Sequence, residues 1–103
     1  MSDTFRTMME KEMTSVRSRG HCCKSWHEGY GLMLEEVDEF WDEVKKRPKA
    51  RDRVNALREL VQIATLCERI AIDLALVDDY EKKQQAAEDQ LLREVGFEPG
   101  EFR

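Results

Sequence analysis

The sequence predicts an all-α protein, a helical bundle of three to four helices that is completed by oligomerisation. Three observations predict it. Apolar residues recur at steps of three and four along most of the chain, no segment keeps the alternation of a half-buried strand, and a composition of 41% hydrophobic and 38% charged residues suits amphipathic helices. A chain of 103 residues is one domain, and alone it buries only about 65% of its unfolded surface, so a partner subunit is expected.

The first helix is expected over 3–17, where Phe5, Met9, Met13 and Val16 form one stripe and Gly20 supplies the stop. A second begins at "SWHE": Ser25 followed three residues later by Glu28 is a capping box, in which the hydroxyl accepts from a free N–H and the glutamate reaches back. Its apolar positions Trp26, Tyr30, Met33, Val37, Phe40 or Trp41, and Val44 predict a core-facing seam about five turns long. The segment "KKRPKARDR" at 45–53 reverses the charge, and Pro48 interrupts any helix there.

A third helix is expected over 52–77, with Leu57, Leu60, Val61, Ala64, Cys67, Ile70, Ala71, Leu74 and Ala75 in period. Residues 60–67 carry no charge, which predicts a central helix that also pairs with another chain. A fourth is expected around Leu91, Leu92 and Val95, ended by Gly96 and Pro99.

The net charge of -5 argues against a nucleic-acid polymer as partner, because phosphate binding needs clustered Lys and Arg on an exposed face. No apolar run reaches the ~18 residues of a membrane span, and the opening "MSDTFRTMMEKEM" lacks the apolar core of a signal peptide, so a cytoplasmic chain is expected. Cys22, Cys23 and Cys67 give neither a disulfide framework nor a zinc-binding pattern.

The densest chemistry lies in "LEEVDEFWDEV" at 34–44, with six carboxylates and no basic residue. Taking Val37 as the centre of the buried face, Glu36 lies about 100° to one side and Glu39 about 160° round the same way, while Glu35 and Asp42 point outward. On the third helix "RELVQIA" places Glu59 and Gln62 at the same spacing where the chain turns apolar, and a buried glutamate needs a partner. If the two helices run antiparallel, Glu36 and Glu39 face Glu59 and Gln62, and such hard oxygens suit Mg²⁺ or Mn²⁺. A solvated acidic face with Glu59 paired to an arginine is the competing reading.

The pair "EEVDE" at 35–39 and "ELVQ" at 59–62 resembles the MazG-type nucleoside triphosphate pyrophosphohydrolases, an all-α family marked by Glu-Glu-x-x-Glu and then Glu-x-x-Asp. "SWHEGYGLMLEEVDEFWDEV" resembles the short MazG-like proteins of bacteria and phages. The resemblance covers about residues 20–77 of a single domain spanning 1–103, with a C-terminal helix and tail over about 78–103. It implies Glu36, Glu39 and Glu59 as Mg²⁺ ligands acting in catalysis through the metal, with Glu35 at the first motif position. The implied reaction cleaves the α–β phosphoanhydride of a nucleoside triphosphate, giving the monophosphate and pyrophosphate, in a homo-oligomer, dimer or tetramer. Gln62 departs from the family's Asp: an amide oxygen can coordinate, yet it removes one negative charge from the site.

Candidate cations for the phosphates are Lys45, Lys46 and their neighbours in the basic connection, and His27 lies near the start of the acidic helix, off its apolar seam. Trp26 and Tyr30 sit on that seam and are expected to pack, with stacking on a nucleotide base, which His27 could also contact, as the alternative. A di-iron carboxylate bundle is disfavoured, since neither His21 nor His27 follows a glutamate at Glu-x-x-His spacing. The alternative to an enzyme is a non-catalytic MazG-like helical protein that binds nucleotide or metal, or serves as an oligomeric interaction module.

Overall fold

Four helices make up the computed structural model, which describes residues 2–96. They are α1 Asp3–Ser18, α2 Trp26–Val44, α3 Arg53–Asp73 and α4 Leu76–Glu94, with a 3-10 turn at Pro48–Ala50 between α2 and α3. The described residues contain no strand and no helix long and apolar enough to cross a membrane.

The starts of α1, α2 and α3 are set by side-chain caps, because the first N–H groups of a helix have no internal acceptor. Ser2 Oγ accepts from Phe5 N at 3.0 Å and Asp52 Oδ1 from Asn55 N at 3.0 Å. At α2 the capping box forms in a shifted version: Ser25 Oγ accepts from Glu28 N at 3.1 Å, and Glu28 Oε2 reaches back to Lys24 N at 3.3 Å. Gly20, at φ +75, turns the chain out of α1 in the left-handed conformation that glycine adopts without steric cost.

As its uncharged stretch predicts, α3 is central and touches each of the other three helices. Val61, Thr65 and Leu66 on α3, Val16 on α1 and Cys23 in the α1–α2 loop form the small core. Gly29 lets α2 approach: a Cβ there would stand 3.2 Å from both Cys23 Sγ and Ile70 Cγ1. Arg17 on α1 pairs with Asp73 on α3 at 2.6 Å, and Asp73 Oδ2 also accepts from Cys23 N at 2.6 Å. One carboxylate thus ties α1, the following loop and α3 together, and its bond to Arg17 holds its pKa below the usual range.

Two expectations need correction. The third helix does not run to Val77: it ends at Asp73, Ala75 takes a left-handed conformation at φ 60, and α4 starts at Leu76. Nothing in the local sequence marks this break, since alanine pays about 1–2 kcal/mol to adopt it; Asp78 and Asp79 then favour the new N-terminus through the helix dipole. Pro99, expected to end the last helix, lies outside the described residues, whereas Gly96 does follow α4 with φ +87.

The second correction concerns the seam on α2. Trp26 is 68% exposed, Tyr30 66% and Trp41 55%, and Leu34 and Val37 are also exposed. The face turned inward carries Gly29, Leu32, Glu36 and Glu43 together with Met33, Phe40 and Val44 of the expected seam, a stripe rotated by about 70° from the expected one. Apolar periodicity locates the stripe correctly but assigns it to the interior of a single chain. Within this chain, α2 presents its carboxylate stripe to α3 and its aromatic stripe outward.

Candidate metal centre

Rotation of α2 brings Glu36 over α3, where it meets Glu59. Glu36, Glu39 and Glu59 each offer a carboxylate oxygen, and these atoms lie within 4.8 Å of one another. The i, i+3 spacing on α2 supplies two of the groups and the antiparallel α3 supplies the third. Glu36 and Glu59 are partly buried and Glu39 is exposed, so the cluster sits at the edge of the helix interface.

The cluster carries unbalanced charge. Glu36 Oε2 and Glu59 Oε2 are buried without a hydrogen-bond donor among the described residues. Burial, reinforced by the charges of Glu39 and Glu59, pushes the Glu36 carboxyl up to about 7. Burial also raises Glu59, with the Glu39 carboxylate as the next cause. The alternative pairing of Glu59 with an arginine does not occur: the ion pairs among the described residues are Arg17–Asp73, Lys45–Asp42 and Lys46–Glu43. Three hard oxygen donors, two of them with uncompensated lone pairs, fit a Mg²⁺ or Mn²⁺ ion that completes its shell with water.

Gln62 borders a small cavity of about 50 Å³ together with Glu36, Thr65 and Arg69, so it lies beside the cluster on the side of Glu36. Glu35 is exposed, on the outer part of α2. Lys45 and Lys46 are engaged locally, with Asp42 at 2.9 Å and Glu43 at 3.1 Å. His27 is exposed in the first turn of α2, nine residues before Glu36 and thus about 13 Å away along the helix.

Two features escape sequence reasoning. Glu43, only 3% exposed, is a structural carboxylate: it accepts from Asp52 N at 2.9 Å, Asn55 Nδ2 at 2.9 Å and Lys46 Nζ at 3.1 Å. These donors hold its pKa down, to about 2, led by the Asn55 amide. Beside it Arg51 caps the end of α2, donating to Val44 O through Nη2 at 2.6 Å and Nε at 3.2 Å. The basic connection is thereby anchored to the acidic helix.

The other feature is a polar cleft of about 800 Å³ between α1, the α1–α2 loop, α2 and α3, bordered by Arg19, Lys24, Glu28, Glu36, Gln62 and Arg69. A signal for it exists in the sequence: Arg69 stands seven residues beyond Gln62, two helical turns along the same face of α3, past the uncharged stretch 60–67. The chain matches no family model, no curated protein and no solved structure.

Proposed function

We propose that the protein is a Mg²⁺-dependent nucleoside triphosphate pyrophosphohydrolase of MazG-like type, working as a homo-oligomer. The observation that supports this most directly is the convergence of Glu36, Glu39 and Glu59 within 4.8 Å, with buried oxygens on Glu36 and Glu59 lacking donors. These three residues would hold the ion, with Gln62 close to Glu36. When bound, a divalent ion supplies neutralisation of phosphate charge and acidification of water for attack on the α–β phosphoanhydride. The chain contributes the positioning: α3 fixes Glu59 against the α2 pair, and the helix interface excludes the donors that would otherwise satisfy those carboxylates.

The outward aromatic stripe supports the oligomer. Trp26, Tyr30, Leu34, Val37 and Trp41 follow one another at steps of four, four, three and four, and an adjoining apolar groove of about 540 Å³ is bordered by Phe40, Val44, Leu57 and Leu60. A continuous apolar face of this kind on a small protein marks an association surface.

Release of pyrophosphate from a panel of common and modified nucleoside triphosphates, with and without Mg²⁺, tests the enzyme reading. Turnover that disappears in Glu36→Gln and Glu59→Gln supports it. A flat panel together with absent metal binding supports the second reading, a non-catalytic helical interaction protein, for which Gln62 in place of the family's Asp is the specific argument.

A further inference from the structure

The polar cleft beside the carboxylate cluster holds three cations that the fold leaves without carboxylate partners. Arg19 and Lys24 flank the α1–α2 turn and Arg69 lies on α3, so they come from different parts of the chain and border one cleft. None of the three forms an ion pair among the described residues, although Glu12, Glu28 and Glu36 border the same space. The Nε of Arg69 is buried and has no acceptor, and the hydroxyl of Thr65, a residue 2% exposed, is likewise unpartnered. Both residues border the small inner cavity with Glu36 and Gln62. A buried guanidinium N–H without an acceptor loses about 1–3 kcal/mol or more, so a ligand that accepts from it is strongly favoured.

We propose that this cleft is a polyphosphate subsite, in which Arg19, Lys24 and Arg69 take the non-bridging oxygens of a phosphoanhydride chain whose other end lies at Glu36. The assignment rests on the reading of Glu36, Glu39 and Glu59 as a metal centre, because a dication there offsets the carboxylate charge at that end of the cleft. The ligand class follows from the donors. Arginine's planar fork matches phosphate oxygens two at a time, and Lys24 adds a point charge at the mouth. The volume of about 800 Å³ lies within the range of small-ligand pockets, roughly 300–1,000 Å³, and its polar border suits a multiply charged chain. The anion-binding role therefore passes from Lys45 and Lys46, which are held by Asp42 and Glu43, to cations that have no such partner.

Titration calorimetry with inorganic tripolyphosphate, at low salt and both without metal and with Mg²⁺, tests the subsite without requiring turnover. Native protein is expected to bind, and Arg69→Met to weaken binding roughly tenfold or more, the equivalent of one lost charge-assisted hydrogen bond. The double variant Arg19→Gln/Lys24→Gln, in and beside the exposed loop, should weaken it comparably and guards against misfolding of Arg69→Met. Lys82→Gln/Lys83→Gln on α4 removes two charges elsewhere and should leave affinity within about twofold. Equal binding by native protein and the Arg19/Lys24 double variant, or no binding by native protein, overturns the subsite. A separate Mn²⁺ titration keeps the two readings apart: native protein that binds tripolyphosphate but no Mn²⁺ retains the anion subsite and loses the metal centre.

Discussion

Glu36 on α2 and Glu59 on α3 bring carboxylate oxygens within 4.8 Å across a helix interface, and each keeps one buried oxygen without a donor. Like charges so placed oppose the fold that holds them together, unless a cation or a proton intervenes. Two predictions follow from whether the intervening species is the cation or the proton.

Glu59→Gln should abolish Mg²⁺ or Mn²⁺ binding and leave the metal-free helical fold at least as stable as native. The amide fills the same volume and removes one of the opposing charges. Titration calorimetry with Mn²⁺ and thermal melts by circular dichroism are the measurements, and unchanged Mn²⁺ affinity removes Glu59 from the site.

The metal-free protein should become more stable as pH falls from above 7 towards 4.5. Glu36 has a folded pKa of about 7 against an ordinary value of 4.5, so over that window the folded state binds more protons than the unfolded chain. Stability therefore decreases with rising pH, and Glu59, also raised, acts in the same direction. Glu43 and Asp73 are depressed and contribute the opposite slope only below their ordinary values of 4.5 and 3.8. Urea midpoints from pH 5 to 8 with chelator check the slope; saturating Mg²⁺ should flatten or reverse it, because the ion competes with the protons.

Gln62→Asp should strengthen divalent-ion binding by about tenfold, or about 1.4 kcal/mol, by adding charge beside Glu36. Gln62→Ala should weaken it or leave it unchanged. Equal Mn²⁺ affinity for native protein, Gln62→Asp and Gln62→Ala in one buffer would show that the side chain does not reach the ion.

Asp73→Ala should destabilise the fold by about 2–4 kcal/mol. It leaves the Arg17 guanidinium without its partner and Cys23 N without its acceptor, in a place where the carboxylate is only 4% exposed. Denaturant unfolding measures the loss, and a change below about 0.5 kcal/mol would make this junction dispensable.

Trp41→Glu should convert an oligomer into monomers, because it places a charge at the end of the outward aromatic stripe, next in sequence to Phe40 of the apolar groove. Sedimentation equilibrium at micromolar concentration is the check. A native protein that is already a stable monomer contradicts the proposed assembly.

The sequence was most legible where local chemistry decides structure. Ser25 with Glu28 marks the start of α2, Pro48 marks its end, and the uncharged stretch around Val61 and Leu66 marks the central helix. The convergence of Glu36, Glu39 and Glu59 also follows from spacing once an antiparallel pairing is assumed. What spacing does not contain is the rotation of α2: an apolar stripe reads the same whether it meets its own chain or another, so Trp26 and Tyr30 were placed inside. The break at Ala75 was hidden because it rests on tertiary packing and uses a residue with high helix propensity. Spacing places Glu43 one turn beyond Glu39 on the same flank of α2, but its structural role is not in that spacing, since its donors at Asp52 and Asn55 lie beyond the turn.

The break at Ala75 also has a hydrodynamic consequence. Because α4, among the described residues, packs against α3 alone, it extends the molecule to 65 × 29 × 25 Å, with a radius of gyration of 19.2 Å. A compact chain of this length would have about 13 Å. A body so elongated diffuses slowly for its mass and leaves a sizing column early, so a single chain would elute like a larger globular protein. Mass for this protein therefore comes from light scattering or sedimentation equilibrium, and the ratio of true to apparent mass becomes a direct reading of how far α4 projects from α3 in solution.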